Sequence, residues 1–117
     1  MSLSVSDGVS AVLHAAVNGV SVRQNVIADN IANVDTPGYR ATSIDFESSL
    51  RGAIADGELT GVEIQRQATD TPVGANGNNV DLRKEVMAAV QTQFQYQVLT
   101  RAVTDHYNLT KIAAGGM

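Results

Sequence analysis

The chain has 117 residues, 44% of them hydrophobic, with a formal net charge of −4, so it has room for one small domain at most. It has no cysteine, which excludes disulfides, thiolate metal sites and a cysteine nucleophile. Its basic residues are scattered, with Arg83-Lys84 the only adjacent pair, so no electrostatic footprint exists for nucleic acid or an anionic membrane.

The first zone, about residues 4–34, reads as a long helix. Ser4 with Asp7 three residues later offers a capping-box-like start. Val9, Leu13, Ala16, Val20, Ile27, Ile31 and Val34 then recur at steps of three, four and seven, a single apolar face interrupted at Arg23. The first nineteen residues lack a basic stretch followed by a continuous apolar run, so no cleaved signal peptide and no membrane span is expected there. Pro37 disfavours helical geometry at Thr36 and Gly38 can turn in the left-handed region, which stops the helix. Asn30 and Asn33 stand three apart in its last turn. Asn is a mediocre helix former, and the pair is expected to clamp the following turn or a neighbouring chain. Tyr39 adds an aromatic plate with a hydrogen-bonding tip.

The middle, within residues 35–80, gathers glycines, the second proline and the turn pairs Asp56-Gly57 and Asn76-Gly77. Ile44-Asp45-Phe46 and Val62-Glu63-Ile64 alternate briefly and predict short strands; Ser48 to Ile54 predicts a short helix. Ala68–Asn79 is expected to be the loosest stretch. Asp81 is a good N-cap for a second long helix over 81–114, with Met87, Val90, Phe94, Val98, Ala102, Leu109 and Ile112 near one face. Met87, Val98 and Leu109 are eleven apart, so this line drifts little along a straight helix. Gly115 and Gly116 end it.

The expected fold is therefore mainly α: two long terminal helices in a hairpin or coiled-coil-like pair around an irregular middle, all within one domain. The helix-packing residues on this reading are Leu13, Val20, Ile27, Ile31, Met87, Val90, Phe94, Val98 and Leu109. A thin two-helix hairpin buries little apolar surface for the residues it orders, and neighbouring subunits would supply the missing face. His14 and His106 have no carboxylate or second histidine one helical turn away, and no phosphate-binding glycine loop or nucleophile elbow is present. No catalytic, cofactor-binding or metal site, and no small-molecule substrate, is expected.

Asn30-Ile31-Ala32-Asn33 and Thr36-Pro37-Gly38-Tyr39 resemble the Asn-Ile-Ala-Asn-x-x-Thr-Pro-Gly-Tyr signature of the flagellar axial proteins, the rod, hook and hook-associated subunits. Ile44-Asp45-Phe46, and Gly77 to Leu82 followed by Glu85 and Gln95-Tyr96, are similar to proximal-rod members of that family. Val34-Asp35 fills the variable pair, the chain is somewhat short for the group, and the middle is left unassigned. The resemblance implies a structural subunit exported unfolded by the flagellar type III apparatus without signal cleavage. It would join the periplasm-crossing rod of the basal body, self-associate through its terminal helices and contact other rod subunits and the ring–rod junction protein. The alternatives are another axial subunit, of the second proximal-rod type or a hook type, or a soluble helical adaptor or chaperone. The short middle argues against a hook-type subunit, and an adaptor would have no use for the signature.

Overall fold

Two helices set the shape. In the computed structural model, which describes residues 3–115 with side chains from Asp7 onward, α1 spans Leu3–Ala32 and α3 spans Leu82–Gly115. At 1.5 Å per residue they are about 45 and 50 Å long. They run antiparallel: Asn30 meets Glu85, Gln24 meets Gln93, Arg23 meets Gln95, and His14 and His106 line one cavity farther along. The molecule measures 66 × 27 × 14 Å, and its radius of gyration of 18.0 Å exceeds the ~13 Å of a compact chain of this size. The two long terminal helices and the mainly α class agree with the sequence reading. The capping contact expected of Ser4 lies outside the described side chains, as does Gly116 outside the described residues.

Between the long helices the chain builds a small cap on one side of the hairpin. Strand β1, Thr42–Ile44, pairs antiparallel with β2, Arg66–Ala68, with Ser43 opposite Gln67. Helix α2, Phe46–Asp56, lies between them in sequence. The predicted strands over 44–46 and 62–64 are thus displaced. Asp45 is the reason for the first: its carboxylate accepts hydrogen bonds from the Ser48 backbone (3.2 Å) and hydroxyl (2.7 Å), so the chain turns into α2 directly after Ile44. Those bonds also hold the Asp45 carboxyl below the usual carboxylate range. Val62 and Ile64 are only half-buried, and Ile64 packs on the core from outside the sheet.

The core is Ala16, Val20, Val26, Ile44 and Phe46, flanked by Val22, Leu50, Ile64, Tyr96 and Leu99. Phe46, the first residue of α2, inserts its ring against Gly19 of α1. A Cβ there would lie 2.3 Å from the ring, so only glycine admits it. Arg23, which interrupts the apolar face of α1, sits over the same ring at 4.8 Å from its centroid. Its guanidinium also donates to Glu47 (2.9 Å), to the Ile44 carbonyl (3.1 Å) and to Gln95 (3.3 Å). The hydrogen bonds from Arg23 hold the Glu47 carboxyl below its ordinary value. One arginine thereby ties α1, β1, α2 and α3 together.

The face of α3 turned toward α1 is not the predicted one. Glu85 and Thr92 are buried, and Ala88, Tyr96, Leu99, Val103 and His106 are half-buried, at steps of three and four. Met87, Val90, Phe94, Val98 and Leu109 instead point to solvent, each between 51 and 67% exposed, and Ile112 is exposed beyond them. Apolar periodicity did not mark this seam because it mixes Tyr96, Leu99 and Val103 with small and polar groups. Thr92, for one, satisfies its hydroxyl on the Ala88 carbonyl at 2.6 Å. On α1 the reading fares better: Ala16, Val20 and Ile27 are buried, Leu13 and Ile31 half-buried, and Val9 exposed.

Candidate functional site

Two features of the molecule lie where a partner or a fold-defining constraint would act: the polar junction at the base of the hairpin and the open apolar face of α3. The junction begins at the end of α1. Asn33 donates its amide to the Asp29 carbonyl at 2.8 Å, and its Oδ1 accepts the Thr36 hydroxyl at 3.0 Å. The helix end and the turn at Pro37 are thus fixed by one side chain. Gly38 follows at φ 75, as the sequence anticipated, with its N–H bonded to the Asn76 carbonyl at 2.9 Å. Pro37 itself is exposed.

Asn30 turns inward, only 1% exposed, and uses all its hydrogen-bonding capacity. Its amide donates to the Thr42 carbonyl (2.7 Å) and to Glu85 (3.1 Å). Its Oδ1 accepts from the Tyr39 hydroxyl and the Thr42 N–H, each at 3.2 Å. In effect Asn30 serves β1 as a second strand would, while reaching across to α3. The two asparagines of the signature therefore have separate tasks, one at the helix end and one in the interior.

The segment expected to be loosest completes the junction. Asn78, buried, donates to the carbonyls of both Asn33 and Thr36 at 2.8 Å. Asn79, also buried, accepts from the Ala41 N–H at 2.6 Å and donates to Thr69 Oγ1 and the Thr71 carbonyl. Its own N–H reaches the Tyr39 carbonyl. Ala68–Asn79 is therefore tied down, because the Asn33, Thr36 and Tyr39 carbonyls and the Gly38 and Ala41 N–H groups all find partners in it. Asp81 then caps α3 as expected, accepting from the Lys84 N–H at 3.2 Å. Asn78, Asn79, Glu85 and Arg23 are absent from the residues that helical periodicity selects. The cluster Gly77-Asn78-Asn79 ahead of a capped helix was the available signal.

Glu85 is buried with Asn30 as its hydrogen-bond donor, and burial pushes its carboxyl above the usual carboxylate range. It lines a cavity of about 390 Å³ with Arg23, Thr42, Ser43, Asp70 and Lys84. Away from the junction an open apolar groove of about 370 Å³ runs between Val20, Phe46, Leu50, Phe94, Val98 and Leu99. Among the described residues, no group of three or more His, Cys, Asp or Glu side chains is disposed to hold a metal ion. No described helix is long and apolar enough to cross a membrane.

Residues 15–40, which contain the whole signature and the second half of α1, match the family described as flagella basal body rod protein. Over nearly the whole chain the similarity continues. The flagellar basal body rod protein FlgB of Borreliella burgdorferi is 35% identical over 116 residues, covering 80% of this chain and 85% of that protein. The chain belongs to the FlgB family of flagellar basal body rod proteins. FlgB of Escherichia coli K12 is 33% identical, across 76% of this chain and 80% of its own. FlgB of Bacillus subtilis is 29% identical, across 97 and 98%. Within the FlgB family frame, the junction joins the two stretches that carry the resemblance, the end of α1 and the start of α3.

Proposed function

We propose that this chain is a structural subunit of the proximal part of the flagellar rod, held in shape by its junction and joined to neighbours through the exposed face of α3. The observation that carries the reading is the line Met87, Val90, Phe94, Val98 and Leu109. These large apolar side chains lie along a helix whose opposite face already contacts α1. Solvent-exposed apolar surface of this extent marks an interaction face. The groove beside Phe94, floored by Val20, Phe46 and Leu50, offers part of the same surface to an incoming helix. The FlgB relatives favour a structural subunit over a hook-type subunit, an adaptor or an enzyme.

The partners on this reading are copies of the chain itself, other rod subunits and the ring–rod junction protein. Delivery is by the flagellar type III export apparatus, without a cleaved signal. The test is direct: purified basal bodies from motile cells should contain the chain, and a strain lacking it should regain motility with the wild-type gene. Absence of the chain from intact basal bodies would end the proposal.

A further inference from the structure

We propose that Asn76 is a site of spontaneous deamidation in the folded protein and that its conversion to isoaspartate opens the clasp between the signature turn and the start of α3. The chain contains two Asn-Gly steps, Asn18-Gly19 and Asn76-Gly77. In both, glycine leaves the following backbone nitrogen unhindered for attack on the asparagine side chain. The reaction is balanced and needs only water. The Gly77 nitrogen gives up its proton and bonds to Cγ of Asn76, the side-chain nitrogen leaves as ammonia, and a succinimide ring forms. Water then opens the ring at either carbonyl, giving aspartate or isoaspartate, in which the main chain runs through the side-chain carbon.

The fold treats the two steps differently. Asn18 and Gly19 lie in the middle of α1, where the Gly19 nitrogen is within the helical ladder and Phe46 lies against Gly19. Ring closure there would require a long helix to unwind beneath a core aromatic. Asn76 is exposed in a turn outside any helix or strand. The Gly77 N–H is restrained by one turn bond, to the Gly74 carbonyl at 3.0 Å. The Asn78 N–H donates to Asn76 Oδ1 at 3.2 Å, which polarises the Cγ carbonyl and would stabilise the oxygen as attack builds negative charge.

The consequence follows from what Asn76 and Gly77 hold. The Asn76 carbonyl accepts the Gly38 N–H, and even a Cβ on Gly77 would lie 3.2 Å from Gly38 Cα. The extra backbone methylene of isoaspartate, with a new carboxylate beside it, does not fit that approach. The bonds from Asn78 to Asn33 and Thr36 depend on the same turn.

Asn18 provides the internal control. The full-length chain is incubated at neutral pH, folded or in denaturant, and peptide mapping with isoaspartate detection reads both sites. In the folded protein Asn76 should convert at least about tenfold faster than Asn18, the ratio expected when one site needs only local opening. In denaturant the two rates should come within a few-fold of each other. Asn76→Gln should abolish conversion there and leave Asn18 unchanged. Purified protein carrying isoaspartate at 76 should lose amide protection at Gly38 and Asn79. Equal rates in the folded state, no conversion at Asn76, a rate gap that persists in denaturant, or unchanged protection at Gly38 would each overturn the proposal. The readouts are covalent and local, so they stand apart from whether the chain assembles into a rod.

Discussion

The base of the hairpin and the shaft of α3 solve opposite problems. At the base, Asn30, Asn33, Asn78 and Asn79 satisfy backbone groups at the end of α1, in the signature turn and at the start of β1, and the network closes within one chain. Along the shaft, Met87, Val90, Phe94 and Val98 remain more than half exposed among the described residues. Hydrogen bonds are directional and fix a shape. Apolar contact is non-directional and supplies cohesion wherever a complementary surface arrives. The difference teaches that this chain folds its junction for itself, while the apolar face of α3 stays open to whatever the proposed assembly would bring against it.

Phe94→Asp should give the largest break in that comparison. Phe94 is 67% exposed, so a carboxylate there stays hydrated in the monomer and the helical circular dichroism should hardly change. Against a neighbouring subunit the same charge would be buried without a partner, at a cost of several kcal/mol. Motility and rod incorporation should be lost at normal protein abundance. A motile Phe94→Asp strain would show that this face is not an assembly surface.

At the base, Asn30→Ala should act on the monomer itself. Four hydrogen bonds disappear, and Glu85, the Tyr39 hydroxyl and both backbone polar groups of Thr42 lose partners. Unsatisfied buried groups cost about 1–3 kcal/mol each, with water recovering part, so a loss of roughly 2–4 kcal/mol is expected in chemical denaturation. Loss below half a kcal/mol would mean that the junction is not what holds α3 to α1.

Gly38 allows a graded test at lower cost. Its φ of 75 is hard for L residues, yet no atom lies near an added Cβ. Gly38→Asn should therefore cost less than 1 kcal/mol or so, because Asn visits the left-handed region, while Gly38→Val should cost about 1–3 kcal/mol. If export passes an unfolded chain, both variants and Asn33→Ala should leave the cytoplasm normally, with rod completion failing for Gly38→Val and Asn33→Ala. Immunoblots of cell fractions beside microscopy of basal bodies separate the two steps. Retention of Gly38→Val in the cytoplasm at normal abundance would make the segment part of an export signal.

What could be read from the sequence follows from which interactions are local. The stop at Pro37-Gly38, the positive φ of Gly38 and the Asp81 cap depend on residues within a turn of one another, and each is found. The inward side of α3 was not legible. Periodicity detects an apolar face but not whether it meets the same chain or another, and here Glu85, Thr92 and His106 occupy the inner seam. Nor could the role of Asn79 be read, since Ala41, Thr69 and Thr71 come to it from two separate loops. Arg23 looked like a flaw in a stripe because its partners, Glu47 and Gln95, are 24 and 72 residues away.

The smallest effect, and the one that best separates packing from charge at the base, is that of Glu85→Gln. Folding raises the Glu85 carboxyl above its ordinary value, chiefly by burial, with Asp81 adding to the effect and the Asn30 amide and Lys84 opposing it. The protonated form is thus favoured by the fold. Its contribution to stability is fully present below the ordinary carboxylate value and is lost as the pH rises through the raised one. The ionised form is the one that burial disfavours, and no ion pair relieves it among the described residues. Glutamine keeps an oxygen for the Asn30 amide and removes the charge. The variant should therefore be slightly more stable than wild type at neutral pH, by under about 1 kcal/mol, with the advantage shrinking as the pH falls through the raised carboxyl value and gone below the ordinary one. Thermal melts of both proteins across that range decide it. An advantage for wild type at neutral pH that shrinks in acid would mean that the carboxylate, not the acid, is the form the junction was built to hold.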